Sequence, residues 1–226
     1  PYCATRSSGR VSRLMGVTML DRGLLIVLSG PSGAGKGTIC SNLRAEMPNL
    51  VYSVSMTTRE PRVGEVEGKN YFFRSKDEFE SLLAVDSFLE YAKVYDNYYG
   101  TPKQHVMDLL DDGKSVLLEI DIQGAMQVKE RFSDAVFIYI VPPSLTELSA
   151  RLHNRGTDAK EVIDKRLSLA CSELALAHRY DYIVVNDDLQ EASLKVASIL
   201  RSEECKIRRN KEKIQYIYKQ YMDSKE

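Results

Sequence analysis

The sequence predicts an α/β protein: a three-layer α/β/α core around a mainly parallel sheet, with an inserted mixed α+β lobe and a small helical lid. Three observations carry this. Short continuous apolar runs alternate with helical stretches, the pattern of parallel strands buried on both faces. The glycine-rich run "GPSGAGKG" (30–37) falls between the first apolar run and the helix after it. Two stretches, 52–99 and 151–167, break the alternation and read as insertions.

In chain order, "LLIVLS" (Leu24–Ser29) is the first buried strand, followed by a helix from Lys36 to Glu46 that Pro48 stops. Residues 52–99 contain short β-like pieces and turns, with one capping-box helix start at Ser75 and Glu78. A second helix is expected to open at Thr101-Pro102, with Thr101 as N-cap and proline in the first turn. "SVLLEI" (Ser115–Ile120), "AVFIYIV" (Ala135–Val141) and "YIVV" (Tyr182–Val185) are further buried strands. Ser144 and Glu147 form another capping box. The stretch "RLHNRGTDAKEVIDKRL" (Arg151–Leu167) reads as a charged helix–turn–helix without a continuous apolar face, a lid with Gly156 at its tip. From Ala192 onward one long helix is expected, ending in a charged tail over 207–226. The domain therefore spans 21–206, its core made of 21–51, 100–150 and 168–206. Residues 1–20 hold Arg6, Arg10 and Arg13 and no acid. They are set outside the fold as a disordered leader, either an overlong start or expression remnant, or a transit-type segment.

Composition narrows the function. A net charge of −1 over 226 residues offers no global attraction to nucleic acid or anionic lipid, so anion recognition must be local. The apolar runs are too short to span a bilayer. Four dispersed cysteines without C-x-x-C spacing indicate a reduced, cytoplasmic protein without structural zinc.

Chemistry concentrates at three places. Gly30, Pro31, Ser32, Gly33, Ala34, Gly35, Lys36, Gly37 and Thr38 form a phosphate loop in its diagnostic strand-to-helix setting. Its backbone N–H groups turn inward around a phosphate, the helix N-terminus adds its dipole, and Lys36 bridges β- and γ-phosphates. Gly37 stands where a metal-binding hydroxyl is usual, so Thr38, also in the first turn, is the substitute candidate. Second, Glu119 and Asp121 lie two apart at the carboxyl end of a strand, which puts both on one side. Third, Arg59 and Arg62 flank Pro61, and two guanidiniums so placed can fork one phosphate, each contact worth roughly 1.5–3 kcal/mol. Tyr71 and Tyr99 add O–H donors.

Together these residues resemble the guanylate kinases. The resemblance runs from about Leu24 to Leu189 through "GPSGAGKG", "SVSMTTREPRVGEVEGKNY", "FLEYA", "NYYGT", "EIDIQG", "RLHNRGT", "KRL" and "IVVND". It implies phosphoryl transfer from ATP to GMP, with 52–99 as the GMP lobe and 151–167 as a lid over ATP. Carried over by motif, Arg59, Arg62, Tyr71 and Tyr99 bind the GMP phosphate, and Ser55, Glu90, Thr101 and Asp121 read guanine. Arg151, Arg155 and Arg166 reach the ATP phosphates and the transferring group, and Asn186 lies near adenine. Mg²⁺ accompanies ATP, with Thr38 and Glu119 as its protein-side candidates. Expected partners are ATP and GMP, with dGMP left open, for a monomer or homodimer. A non-catalytic phosphopeptide-binding module of the same fold is the alternative; such modules typically lose the intact loop, which this chain keeps.

Overall fold

The computed structural model describes residues 11–14, 17–20, 22–94, 96–154 and 160–225. Within the stretch expected to be a leader, Val11–Leu14 (β1) and Val17–Leu20 (β2) pair antiparallel. β-Branched Val11, Val17 and Thr18 favour extended backbone. The pair joins neither larger sheet. Residues 1–10 lie outside the described residues.

The chain then enters the core with β3 (Leu25–Ser29), every residue buried, as a strand covered on both faces must be. After the phosphate loop comes α1 (Lys36–Glu46), which buries Ile39, Cys40 and Leu43. β4 (Leu50–Tyr52) closes the first pass. The inserted lobe holds β5 (Met56–Thr57), β6 (Phe72–Phe73), α2 (Lys76–Ala84), β7 (Phe88–Val94) and β8 (Asn97–Pro102). Its strands run in the order β6-β5-β8-β7, with β8 antiparallel to both β5 and β7. The lobe has its own small aromatic core, in which Phe79 stacks on Phe88 at 4.4 Å and on Tyr98 at 5.2 Å. The capping box at Ser75 and Glu78 is complete.

The return to the core runs through α3 (Lys103–Asp111), β9 (Ser115–Glu119), α4 (Ile122–Arg131) and β10 (Val136–Val141). The lid helices α5 (Leu145–Asn154) and α6 (Lys160–Leu174) follow, then β11 (Tyr182–Val185) and α7 (Leu189–Glu204). The five core strands are all parallel, in the order β11-β10-β3-β9-β4. β3 is central, so the loop after it opens at the middle of the sheet's carboxyl edge, where such sheets bind ligands.

Three local expectations are revised. Thr101 does not cap α3: Pro102 occupies the N-cap without a side-chain bond, and the Thr101 hydroxyl donates to Glu90 instead. The lid pair does have an apolar seam, because Leu148, Leu152, Ile163 and Ala170 bury together against Leu167. The long C-terminal helix is broken after Glu204 by a turn (Ile207–Arg209) before α8 (Lys211–Asp223). The break has an electrostatic cause. The Glu203 carboxylate, 1% exposed, draws Lys206 to 2.5 Å and Arg209 to 3.4 Å, which a straight helix cannot do for both. At the other end of the Ser144 box only the backbone half forms, Glu147 N–H donating to Ser144 Oγ at 3.0 Å. The Glu147 carboxylate goes to Arg151.

Candidate active site

The phosphate loop is shaped by glycine and locked from beneath. Gly35 adopts φ 90° as the N-cap of α1, a left-handed conformation that L side chains rarely take. A Cβ there would also sit 2.2 Å from Asn186 Nδ2. That amide, on a residue 4% exposed, donates to Ala34 O at 2.8 Å and ties the loop to the end of β11. The side-chain donor of Asn186, the residue expected near adenine, holds the loop. Lys36 folds back over the loop, its Nζ donating to Gly30 O at 2.6 Å and Pro31 O at 3.1 Å. Two links then connect loop and lid. Arg166 on α6 donates to Ser32 Oγ at 2.9 Å, and Arg151 on α5 donates to Asn186 O at 3.1 Å while Glu147 holds its Nε at 2.9 Å. Arg155 lies outside the described residues.

β9 delivers the acids beside this loop. Ser29 Oγ donates to Ile120 O at 2.8 Å and fastens the ends of β3 and β9 together. Glu119 then faces the first turn of α1: a Cβ on Gly37 would lie 3.7 Å from both carboxylate oxygens. Tyr52 donates to Glu119 Oε2 at 3.3 Å. Burial first, and the Glu119 charge second, push both the Tyr52 phenol and the Cys40 thiol well up. Thr38 is exposed one residue further on. Among the described residues, no group of three or more His, Cys, Asp or Glu could enclose a metal. One carboxylate beside a phosphate loop does suit Mg²⁺, which keeps waters and takes most of its oxygens from phosphates.

The acceptor side is built from the lobe. Arg59 lies over the Tyr71 ring at 5.5 Å, and Tyr71 meets Tyr99 edge-on at 6.1 Å, so three predicted phosphate ligands form one arc. Glu65, absent from the expected set, orders it. Its oxygens accept from Arg59 Nη2 at 2.9 and 3.0 Å, and Oε2 also accepts from Arg62 N–H at 2.8 Å. The Arg59 guanidinium and then the Arg62 N–H hold the Glu65 carboxyl below its usual range. The signal for it was in the sequence, three residues after Arg62 in the "GEVEG" run. The Arg62 side chain is itself exposed. Burial, then Tyr99, push the Tyr71 phenol up.

Behind the arc sits a buried carboxylate. Glu90 on β7 is 6% exposed, and its Oε1 accepts from Thr101 Oγ1 at 2.6 Å. Burial pushes its carboxyl up to about 7, and the Asp121 charge adds to the rise against the lowering Thr101 bond. Asp121 caps α4, its Oδ1 accepting from Gly124 N–H at 2.8 Å. Gly124 is a position that reading residue types missed: a Cβ would sit 2.7 Å from Glu90 Oε2, so a side chain there would shift the carboxylate from its place against this helix end. Gln127 one turn on bonds both the N–H and the carbonyl of Tyr91, at 3.1 and 2.9 Å, and clamps the Glu90 strand to α4. Ser55 is half-buried just before β5, with its carbonyl accepting from Phe72 N–H at 2.9 Å. Glu90, Thr101 and Asp121 thus gather where the lobe meets α4, and Ser55 lies on the link between β4 and β5.

A phosphate loop on the central parallel strand, guanidiniums reaching it from a helical pair, and a second anion arc on an inserted lobe define a P-loop nucleotide kinase. The chain matches the family model described as guanylate kinase over residues 22–203. It is 54% identical to a guanylate kinase of Caldanaerobacter subterraneus subsp. tengcongensis over 87% of this chain and 95% of that one. Identity to a guanylate kinase of Desulfitobacterium hafniense is 53%, covering 84% and 94%. The crystal structure of guanylate kinase from Anaplasma phagocytophilum superposes with a TM-score of 0.67 at 37% identity, covering 84% of this chain and 90% of that one. The chain belongs to the guanylate kinase family, and is a phosphotransferase. No helix among the described residues is long and apolar enough to cross a membrane.

Proposed function

We infer that the chain transfers the γ-phosphoryl group of ATP to GMP, giving ADP and GDP by direct in-line displacement. The observation that carries the acceptor's identity is Glu90: a buried carboxylate, aimed by Thr101 and admitted by Gly124, at the seam between lobe and core. An ionised carboxylate accepts from both guanine N1–H and the 2-amino group, a pair that adenine does not present. Sites that pair with such hydrogen bonds reject a mismatched base by about 10⁴-fold. Ser55, Thr101 and Asp121 complete the base contacts in this reading, and Arg59, Arg62, Tyr71 and Tyr99 take the GMP phosphate.

The donor half follows from the loop. Its backbone N–H groups and Lys36 hold the ATP phosphates, while Arg151, Arg155 and Arg166 stabilise the transferring group as negative charge spreads over its oxygens. The Arg166–Ser32 bond supports this assignment for the lid. Glu119 and Thr38 are the residues that would hold Mg²⁺ on the protein side, and the ion supplies charge neutralisation when bound. No covalent enzyme intermediate is needed, because positioning and preorganised charge supply the rate. The phosphopeptide-binding alternative gains nothing here, since loop, lysine and lid arginines are retained together. Free Cys40, Cys171 and Cys205 suit a reducing, cytoplasmic setting.

A coupled assay of ADP release with GMP, AMP, dTMP and CMP as acceptors tests the reading. GMP is expected to exceed the others by at least 10³-fold in kcat/KM. Turnover of AMP with no GMP signal above ATP hydrolysis would sink it.

A further inference from the structure

At the end of the sheet opposite the nucleotide edge lies a cavity of about 790 Å³. Leu25 and Ala135, at the amino ends of β3 and β10, form its apolar wall with Leu110 and Phe132. The turn before α8 and the start of α8 form the other side. Its charge is lopsided. Arg22, Arg131, Arg208, Arg209, Lys211 and Lys213 line it, against Asp134 and Glu212. The whole chain carries a net charge of −1, so this concentration of cations is not a sample of the overall composition.

The ion pairs already present offset part of that excess and leave the remainder positive. Arg22 meets Asp111 at 3.0 Å and Arg131 meets Asp86 at 2.7 Å, through exposed contacts in which solvent leaves little net energy. Inside, the single buried carboxylate of Glu203 is shared by Lys206, Arg209 and Arg208, at 2.5, 3.4 and 3.8 Å. Asp134 answers Arg208 at 3.4 Å. Two carboxylates among three cations leave a positive surface, and they fix two guanidiniums where they need no further ordering. Arg209 Nε is buried there with no hydrogen-bond partner among the described residues. Several preset guanidiniums and ammonium groups around a concave site suit an oxyanion with several charges, and the volume is that of a small-molecule site.

We propose that this cavity is a second anion site, which takes the di- or triphosphate group of a small polyphosphate or nucleotide. It is separate from the phosphate loop. β3 runs from Leu25 at the cavity to Ser29 before Gly30, a span of roughly 13 Å or more at the rise of a strand, and the sheet itself stands between the two. The anion is held by charge, so its affinity falls with ionic strength, while Phe132 and Leu110 offer an apolar face to a base where one is attached.

Equilibrium titration of the full chain with tripolyphosphate, and separately with ATP, tests this at low salt. Wild type is expected to bind tripolyphosphate at two sites. The Lys36→Ala variant keeps the second site, whereas Lys211→Glu/Lys213→Glu weakens it at least tenfold and leaves GMP-dependent kcat within twofold of wild type. ATP binding this site tenfold more tightly than tripolyphosphate assigns it to nucleotides; equal affinity assigns it to the polyphosphate group alone. A single site that Lys36→Ala abolishes and the double reversal leaves untouched overturns the proposal. Should the double variant lose its circular dichroism signal, Arg22→Glu at the exposed rim makes the same test, with at least a threefold loss expected and no change overturning it. Binding is the primary readout, so failure of the GMP kinase reading would leave this result interpretable.

Discussion

The two proposed nucleotide-binding regions are built by opposite means. The phosphate loop offers backbone: its groups are amides, its shape comes from glycines, and one buried strut, Asn186, sets its position. The lobe offers side chains, and each is held by a neighbour's charge or hydroxyl: Arg59 by Glu65, Glu90 by Thr101. A backbone site tolerates changes around it provided the turn survives. A side-chain site depends on partners that never touch the ligand. Donor and acceptor should therefore fail differently under mutation.

The largest effect is expected at the donor side. Lys36→Ala should lower kcat by about 10³-fold, while GMP affinity measured by equilibrium titration stays within a few-fold; comparable loss of GMP binding would break the division between the halves. Next comes the acceptor's base contact. Glu90→Gln should cut kcat/KM for GMP by about 10²-fold or more through one lost acceptor and one new clashing donor, leaving ATP affinity unchanged. The same variant sharpens the comparison in the opposite direction for stability. Burial raises the native Glu90 carboxyl from 4.5 to about 7, so ionising it opposes folding. The opposition is absent below pH 4.5, grows between 4.5 and about 7, and is complete above. Chemical denaturation at pH 8 should find Glu90→Gln more stable than wild type by up to about 3 kcal/mol, with the difference vanishing at low pH. A variant less stable at every pH would show that Thr101 and packing outweigh desolvation.

Smaller effects test the supports. Glu65→Ala releases Arg59 and the Arg62 N–H, and should raise KM for GMP by about tenfold with little change in ATP affinity; an unchanged KM would mean that the arc orders without it. Ionisation of Glu90 also predicts that KM for GMP rises as pH falls from 8 to 6, by up to about tenfold, a dependence that Glu90→Gln should abolish. Least of all, Gly37→Ser should alter the Mg²⁺ concentration required for half-maximal rate by only a few-fold, because Glu119 already faces that position.

Legibility followed the same divide. The loop, four of the five core strands and several helix starts are local patterns, and the sequence placed those strands to within a residue, whereas the short β4 was not singled out. The paired arginines and tyrosines proposed as phosphate ligands were legible, and Arg59, Tyr71 and Tyr99 do lie together. Their supports were not, because Glu65 and Gln127 look like surface polar residues until the fold shows what they bond. Thr101 misled for a related reason: a threonine before proline reads as a helix cap, and only the pairing of β7 with β8 sets it opposite Glu90. Asn186 was recognised, but its bond to Ala34 O was not, since the crossing of β11 beneath the loop is invisible in one dimension. The lid's apolar seam escaped because it is shared between two helices, neither with a full stripe of its own.

By itself, then, the sequence determined the periodicity of the core, the phosphate loop and the family's recognition residues, all of which depend on contacts within a few positions. The tertiary structure alone decided which donor each buried carboxylate meets, how closely Gly124 approaches Glu90, and which cations gather at Glu203 where the C-terminal helix breaks. Those outcomes come from groups brought together by strand pairing, by helix packing or by a turn, and buried charge settles only where a partner in three dimensions can satisfy it.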